Sequence, residues 1–249
     1  MGHKDYLYDL LVHDLTGPLS VVAATTNGLL SRTDRYGPLT EGQIHCLQRI
    51  ARNTKKAQLL LNEILDVGRS EEQLFQEEHF LLEDLAKDAL VSVIQFLDAA
   101  ATERLEKLEG AEAVRDFLLE QGISIEVTGK YEKSPFFHDR RKVQLILENL
   151  ISNALKYRRK SMKICISGEG DALILVSDDG CGIPKGEQEA VYKRFMQLKQ
   201  GDLPPVKGLG LGLFCVKALV ETMDGEIAVT SGEGCGTSFT VRIPPLRSR

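Results

Sequence analysis

The sequence predicts an α+β protein: an N-terminal helical hairpin that forms a dimeric four-helix bundle, followed by an α/β sandwich. Three observations carry this expectation. Two stretches with helical apolar spacing, on either side of a short turn-rich segment, fill residues 1–69. A polar run at 70–78 then interrupts the pattern. Beyond it, strand-like alternation is mixed with helical spacing, so the domains are read as 1–69 and 70–249.

The first helix runs from residue 6 to about residue 32, because Leu7, Leu11, Leu15, Pro18, Val22 and Leu29 fall on one side at about 100° per residue. Residues 33–38 form the turn. A second helix starts just after Gly37-Pro38, where Thr40 and Gln43 have capping-box spacing. Ile44, Leu47, Ala51, Leu61 and Leu65 carry its apolar stripe down to Gly68. A lone hairpin leaves much of such a stripe uncovered, and a second copy would cover it. A homodimer is therefore expected.

In the second domain the spacing predicts a helix over 81–108, a strand over 123–127 and a long helix over 139–157. Paired strands are expected at 162–167 and 172–177, joined through turn residues 168–171. A helix over 211–223 precedes a closing hairpin, 226–230 with 238–243, turning across 232–236. The result is a largely antiparallel sheet with helices packed on it.

Composition narrows the possible functions. At 249 residues and 43% hydrophobic, the chain can bury a sizeable core in one large domain or two modest ones. No stretch approaches the roughly 18 uninterrupted apolar residues that cross a bilayer, and no signal-peptide pattern opens the chain. No membrane contact within this chain is expected. The five cysteines, Cys46, Cys165, Cys181, Cys215 and Cys235, lack C-x-x-C spacing. That argues against a disulfide framework or a zinc site and fits a reducing, cytoplasmic setting. Net charge is −5 with both signs interspersed, so nucleic acid is not an expected partner. The cluster Arg158, Arg159, Lys160 and Lys163 reads as a solvated turn and strand edge.

Four constellations carry chemistry. His13 opens the run H-D-L-T-G-P-L and lies about 160° from the apolar stripe, so it is expected to face solvent. An exposed helical histidine is usually unremarkable, and His3, His45, His79 and His138 are read as structural or solvated. Pro18 sets His13 apart, since a proline inside a helix costs about 3 kcal/mol unless the helix bends. Next, E-N-L-I-S-N-A-L-K-Y places Asn149, Asn153, Lys156 and Tyr157 on one broad helical face. Carboxamide oxygens can ligate Mg²⁺ and an ammonium can pair with phosphate. Third, V-S-D-D-G-C-G-I-P leaves a strand and turns through Gly180 and Gly182, where Asp178 could accept a hydrogen bond from an exocyclic amine. Fourth, G-L-G-L-G-L, comprising Gly208, Leu209, Gly210, Leu211, Gly212 and Leu213, precedes a helix and offers backbone N–H groups to phosphate. Each is weak alone: a polar helix face, a two-glycine turn and a glycine-rich loop are all common.

Together, in this order and with Y-K-R-F ending at Phe195 and G-T-S-F at 236–239, they resemble the H, N, G1, F and G2 boxes of sensor histidine kinases. The resemblance covers nearly the whole chain. It implies a dimerisation and phosphotransfer domain followed by the ATP-binding fold shared with gyrase, HSP90 and MutL. It further implies ATP and Mg²⁺ as cofactors, with Asn149 on the metal, Asn153 and Lys156 near the phosphates and Tyr157 against the nucleotide. Asp178 would bind the adenine amine, with Gly180 and Gly182 letting the base approach and Thr237 helping to hold it. Gly208 to Gly212 would wrap the triphosphate, and residues 184–207 would form a lid. His13 would take the phosphoryl group with Asp14 orienting its imidazole, then pass it to an aspartate in a response-regulator receiver domain. The alternative is an ATP-binding scaffold or pseudokinase without autophosphorylation.

Several positions depart from that pattern. Gly17, one turn after His13, stands where the family often has Thr or Asn, which orient water for dephosphorylating the regulator. Residues 98–122 are longer than usual and read as helical with a break at Gly110. Tyr192 replaces the usual Phe, and Leu209 interrupts the glycines. Leu145 occupies the position where the gyrase and HSP90 type of ATPase carries a water-activating Glu, and Glu148 points about 100° away from Asn149. Twelve residues precede His13, so no sensor domain is expected within this chain, and the signal would come from elsewhere, including a membrane-anchored form.

Overall fold

The computed structural model describes residues 3–69, 75–108, 110–193, 196, 210 and 212–246. Up to residue 69, side chains are described only at 15–32, 35–51, 53–54 and 57–58. The chain divides into two compact units, Met1–Glu72 and Gln73–Arg249.

In the first unit α1 (His3–Ser31) and α3 (Glu41–Arg69) pack along one another, joined by the one-turn α2 (Thr33–Tyr36) and by Gly37 at φ 83°. The capping box forms: the Gln43 amide donates to Thr40 Oγ1 (3.3 Å), and the Thr40 amide donates to Gln43 Oε1 (2.9 Å). Pro18 lies inside α1. Thr26 and Thr54 are buried, and the Thr26 hydroxyl donates back to the Val22 carbonyl at 2.7 Å. Leu15, Val21, Val22, Ile44 and Ile50 stay exposed.

The second unit begins with β1 (Glu77–Phe80), α4 (Leu82–Leu97), α5 (Ala99–Leu105), α6 (Ala111–Glu120) and β2 (Ile123–Val127). It continues through β3 (Phe136–Asp139), α7 (Arg140–Tyr157), β4 (Met162–Ser167), β5 (Ala172–Asp178), α8 (Gly212–Thr222), β6 (Glu226–Ser231) and β7 (Thr237–Ile243). The main sheet has the order β2-β4-β5-β7-β6, antiparallel except for the parallel pair β2–β4. β1 and β3 form a separate antiparallel ribbon.

Strict alternation builds the core. Ile164 and Ile166 of β4, Ala172, Ile174 and Val176 of β5, and Phe239, Val241 and Ile243 of β7 all point to one face. Covering that face are Leu82, Leu85 and Leu90 of α4, Ile146, Leu147, Leu150 and Ile151 of α7, and Val216, Leu219 and Val220 of α8. The opposite face carries residues such as Lys163, Leu173 and Arg242, so the architecture is one helical layer on one sheet.

Three details differ from the sequence reading. The helix expected over 81–108 breaks at Asp98, which is extended (φ −135°, ψ 100°). Its carboxylate accepts from the amides of Ala100 and Ala101 (both 3.0 Å) while its own amide still donates to Ile94. One residue thus closes α4 and caps α5. The β1–β3 ribbon was not expected, because four residues with three exposed positions leave no alternation to read. Finally, β2 pairs parallel to β4, reached by the crossover through α7. Among the described residues no helix is long and apolar enough to cross a membrane.

Candidate functional site

α7 organises the site. Asp139 caps it, accepting from the Lys142 amide and the Gln76 amide (both 3.0 Å). Its apolar stripe is consumed by the core, which turns Asn149, Asn153, Lys156 and Tyr157 to the half-buried opposite side. The Asn149 amide nitrogen donates to the Leu145 carbonyl at 3.0 Å. That leaves Oδ1 facing Gly212, the first residue of α8, where a Cβ would stand 2.5 Å from it. Any side chain at 212 would therefore displace the Asn149 oxygen, so glycine is needed for contact as well as for flexibility.

At the other end of α7 the chain makes further backbone approaches. A Cβ on Gly180 would collide with the Tyr157 carbonyl, one on Gly182 with the Gly232 carbonyl, and one on Gly236 with the Asp178 carbonyl. Gly182 and Gly236 also have φ of 76° and 80°. The turn after β5 is thus wedged between the end of α7 and the β6–β7 turn. Asp178 and Thr237 lie directly opposite one another in the ladder, with side chains on the same sheet face. The Gly180 amide donates to Asp178 Oδ1 at 2.8 Å. Burial raises the Asp178 pKa above the ordinary carboxylate value, and hydrogen bonds from the Gly180 and Thr237 amides partly offset that rise. Burial also raises the Tyr157 hydroxyl.

Three structural residues escaped the sequence reading. Asp179 accepts from the amides of Arg159 (2.8 Å), Lys160 (3.0 Å) and Ser161 (3.0 Å), which hold its carboxyl well below the usual range. It fastens the α7–β4 connection to the Asp178 turn. Ser231 accepts from the Ile183 amide (2.8 Å), and the Gln188 side chain donates to the carbonyls of Ile183 (3.0 Å) and Ser231 (2.8 Å). The only signals in sequence were an acidic pair and a serine just ahead of a glycine-rich turn.

Several predicted residues of the second unit thus come together in two groups, while Asn153 and Lys156 are placed only on the half-buried side of α7. Asn149 meets Gly212, and Tyr157, Asp178, Gly180, Gly182 and Thr237 meet around the sheet end. Gly210 is described, with φ 69°, while Gly208, Leu209, Leu211, Phe195 and residues 197–207 of the expected lid lie outside the described residues. His13 and Asp14 lie in α1, with their side chains outside the description. Among the described residues no cluster of three or more His, Cys, Asp or Glu could hold a metal. A lone carboxamide oxygen suits Mg²⁺, which keeps several waters and takes phosphate oxygens as its other ligands.

The departures also find their places. Tyr192 packs edge-on to Phe239, and its buried hydroxyl has no partner among the described residues and is pushed up to about 12. Its ring therefore does what a phenylalanine would. Glu148 accepts from the Gln144 side chain at 2.9 Å, and Leu145 packs against the core.

Comparison with known proteins gives the class. Residues 138–247 match the family of histidine kinase-, DNA gyrase B- and HSP90-like ATPases. Over 236 residues, 93% of this chain, it is 32% identical to the circadian input-output histidine kinase CikA of Synechococcus elongatus, covering 29% of that protein. Over 237 residues, 94% of the chain, it is 27% identical to the histidine protein kinase DivJ of Caulobacter vibrioides, covering 36% of it. The chain spans about a third of the length of these curated relatives. Among solved structures, full-length ShkA in complex with AMPPNP superposes with a TM-score of 0.67 at 20% identity, over 98% of this chain and 46% of that one. The histidine kinase AdeS of Acinetobacter baumannii gives 0.55 at 20% identity, over 94% and 98%. These last two likenesses are of fold. Residues 138–247 belong to the histidine kinase-, DNA gyrase B- and HSP90-like ATPase family, and the chain carries a sensor histidine kinase ATP-binding catalytic domain.

Proposed function

We propose that this chain is the catalytic core of a two-component sensor histidine kinase. It binds Mg-ATP in the second unit, transfers the γ-phosphoryl group to His13 as a homodimer, and passes it to an aspartate of a response-regulator receiver domain. The observation that carries the reading is the placement of Asn149: its nitrogen is committed to Leu145, and its oxygen faces the glycine that opens α8. A helix N-terminus behind glycines favours phosphate, and an amide oxygen beside it favours the accompanying Mg²⁺. Asn153, Lys156 and Tyr157 extend the same face, while Gly208, Leu209, Gly210, Leu211 and Gly212 would follow the phosphates.

Asp178 and Thr237 would receive the base at the sheet end, with Gly180 and Gly182 permitting close approach. When bound, the Mg²⁺ would neutralise phosphate charge. The chain's own residues orient the nucleotide, exclude water and, at His13 with Asp14 beside it, supply the nucleophilic nitrogen. Water-activated hydrolysis is disfavoured as a competing activity, since Leu145 is apolar and the Glu148 carboxylate is engaged by Gln144.

Incubation with labelled Mg-ATP should give an acid-labile, alkali-stable label, and His13→Gln should abolish it while nucleotide still binds. Acid-labile label persisting on the variant would refute His13 as the acceptor. An unlabelled but ATP-binding parent would favour the scaffold reading.

A further inference from the structure

Where β6 gives way to β7, one hydroxyl serves three neighbours. Ser231 Oγ accepts from the Ile183 amide (2.8 Å), donates to the Gly236 carbonyl (2.7 Å) and lies 3.1 Å from Thr237 Oγ1. A serine hydroxyl has a single proton. The Gly236 carbonyl can only accept, so it takes that proton, and the Ile183 amide takes a lone pair. The remaining contact can form in one sense alone, with Thr237 donating to Ser231. Gln188 fixes the arrangement by donating to the carbonyls of both Ile183 and Ser231.

The consequence falls on Thr237, which is buried and stands directly opposite Asp178 on the same sheet face. With its proton committed to Ser231, Thr237 Oγ1 can meet a further group only as an acceptor. The Asp178 carboxylate beside it, when ionised, is also only an acceptor. Two adjacent acceptors match the two N–H bonds of an exocyclic amine and oppose a carbonyl oxygen in the same place.

We propose that Ser231 is a positioning residue for base selection: by fixing the Thr237 hydroxyl as an acceptor, it makes the pocket take a 6-amino purine and reject a 6-oxo purine. This rests on the reading of the pocket as a nucleotide site. A buried polar group left facing its own kind is costly, and that cost is the source of the discrimination.

The test is calorimetry on the 249-residue chain with adenosine and inosine diphosphates, which differ at the 6 position and carry no γ-phosphate to transfer. The parent should prefer the adenine ligand by about tenfold or more. Ser231→Ala frees the Thr237 hydroxyl to rotate, and the preference should shrink by about fivefold. Ser231→Thr, which keeps the hydroxyl, should retain it. Thr237→Val should also narrow the preference, and adding Ser231→Ala to it should change nothing further, because the two residues act through one bond. A merely structural serine would weaken both ligands together and leave their ratio alone. If Ser231→Ala does not fold, Ser231→Cys, of similar size with a poor donor, carries the same expectation. An adenine preference insensitive to Ser231 overturns this assignment and leaves the nucleotide reading intact. A parent that binds neither ligand overturns both.

Discussion

His138 is fully buried, stacked on Phe136 with centroids 5.6 Å apart and met edge-on by Phe75 at 5.2 Å. The Asp139 amide donates to Nδ1 at 2.8 Å, so the neutral ring carries its proton on Nε2, which has no partner among the described residues. Burial lowers its pKa from 6.5 to about 4, Asp139 opposing the shift and Lys142 adding to it. Because the folded value lies below the unfolded one, His138 contributes stability that is present above about pH 6.5 and is lost as pH falls toward 4. The loss amounts to about 3 kcal/mol. Thermal melting across that window should show a decline that His138→Phe flattens, and an equal slope in the variant would place the titration elsewhere. From sequence alone this residue reads as structural or solvated, and its aromatic cage is not legible, since Phe75 reaches it from a distant segment. The same limit hid Asp179 and Ser231. Their partners are backbone amides and carbonyls of other turns, which leave no residue-type signature, whereas the glycines at 180, 182 and 212 were legible because only their residue type fits.

At the scale of elements, long periodic segments were legible and short ones were not. α1, α3 and α7 carry stripes several turns long, while β1 and β3 have four residues each and are specified by pairing with one another. Asp98 broke a helix that propensity favoured because one carboxylate satisfies two amides of the next helix at once. The most informative local departure is Gly17 in α1. Among the described residues nothing lies within 4 Å of where its Cβ would stand, which leaves room there for a side chain. Glycine costs a helix interior up to about 1 kcal/mol, and its absent side chain offers no group to hold a water one turn beyond His13. Regulator dephosphorylation by the parent is expected to be slow. Gly17→Thr should raise it while changing self-phosphorylation by no more than about threefold, a barrier change under 1 kcal/mol. Rapid dephosphorylation by the parent, unaltered by Gly17→Thr, would mean that another group positions the water.

For the whole molecule, the apolar surface left on the first unit sets the expected assembly. Within one copy, Leu15 is 49% exposed, Val21 65%, Val22 42%, Ile44 37% and Ile50 45%, on two helices that already pack against each other. Fully burying such side chains gains about 1.5–3 kcal/mol each, so completing the burial of five supplies several kcal/mol beyond what one hairpin achieves. A micromolar dimer needs about 8 kcal/mol, and two copies burying these side chains against one another supply a substantial part of it. We expect sedimentation to show a dimer at tens of micromolar, about the range for such an interface. A double variant, Val22→Glu with Ile50→Glu, should be monomeric, because burying either charge unpaired costs more than the lost apolar contact returns. The variant also separates assembly from ligand binding. Every residue assigned to the nucleotide lies in Gln73–Arg249, whose core is built from its own helices and sheet. Adenosine diphosphate affinity should therefore stay within about twofold of the parent, while labelling of His13 falls if phosphotransfer requires the paired hairpins. A parent that sediments as a monomer would overturn the four-helix bundle. A monomeric variant that also loses the nucleotide would show that the hairpin supports the binding unit, contrary to the division drawn here.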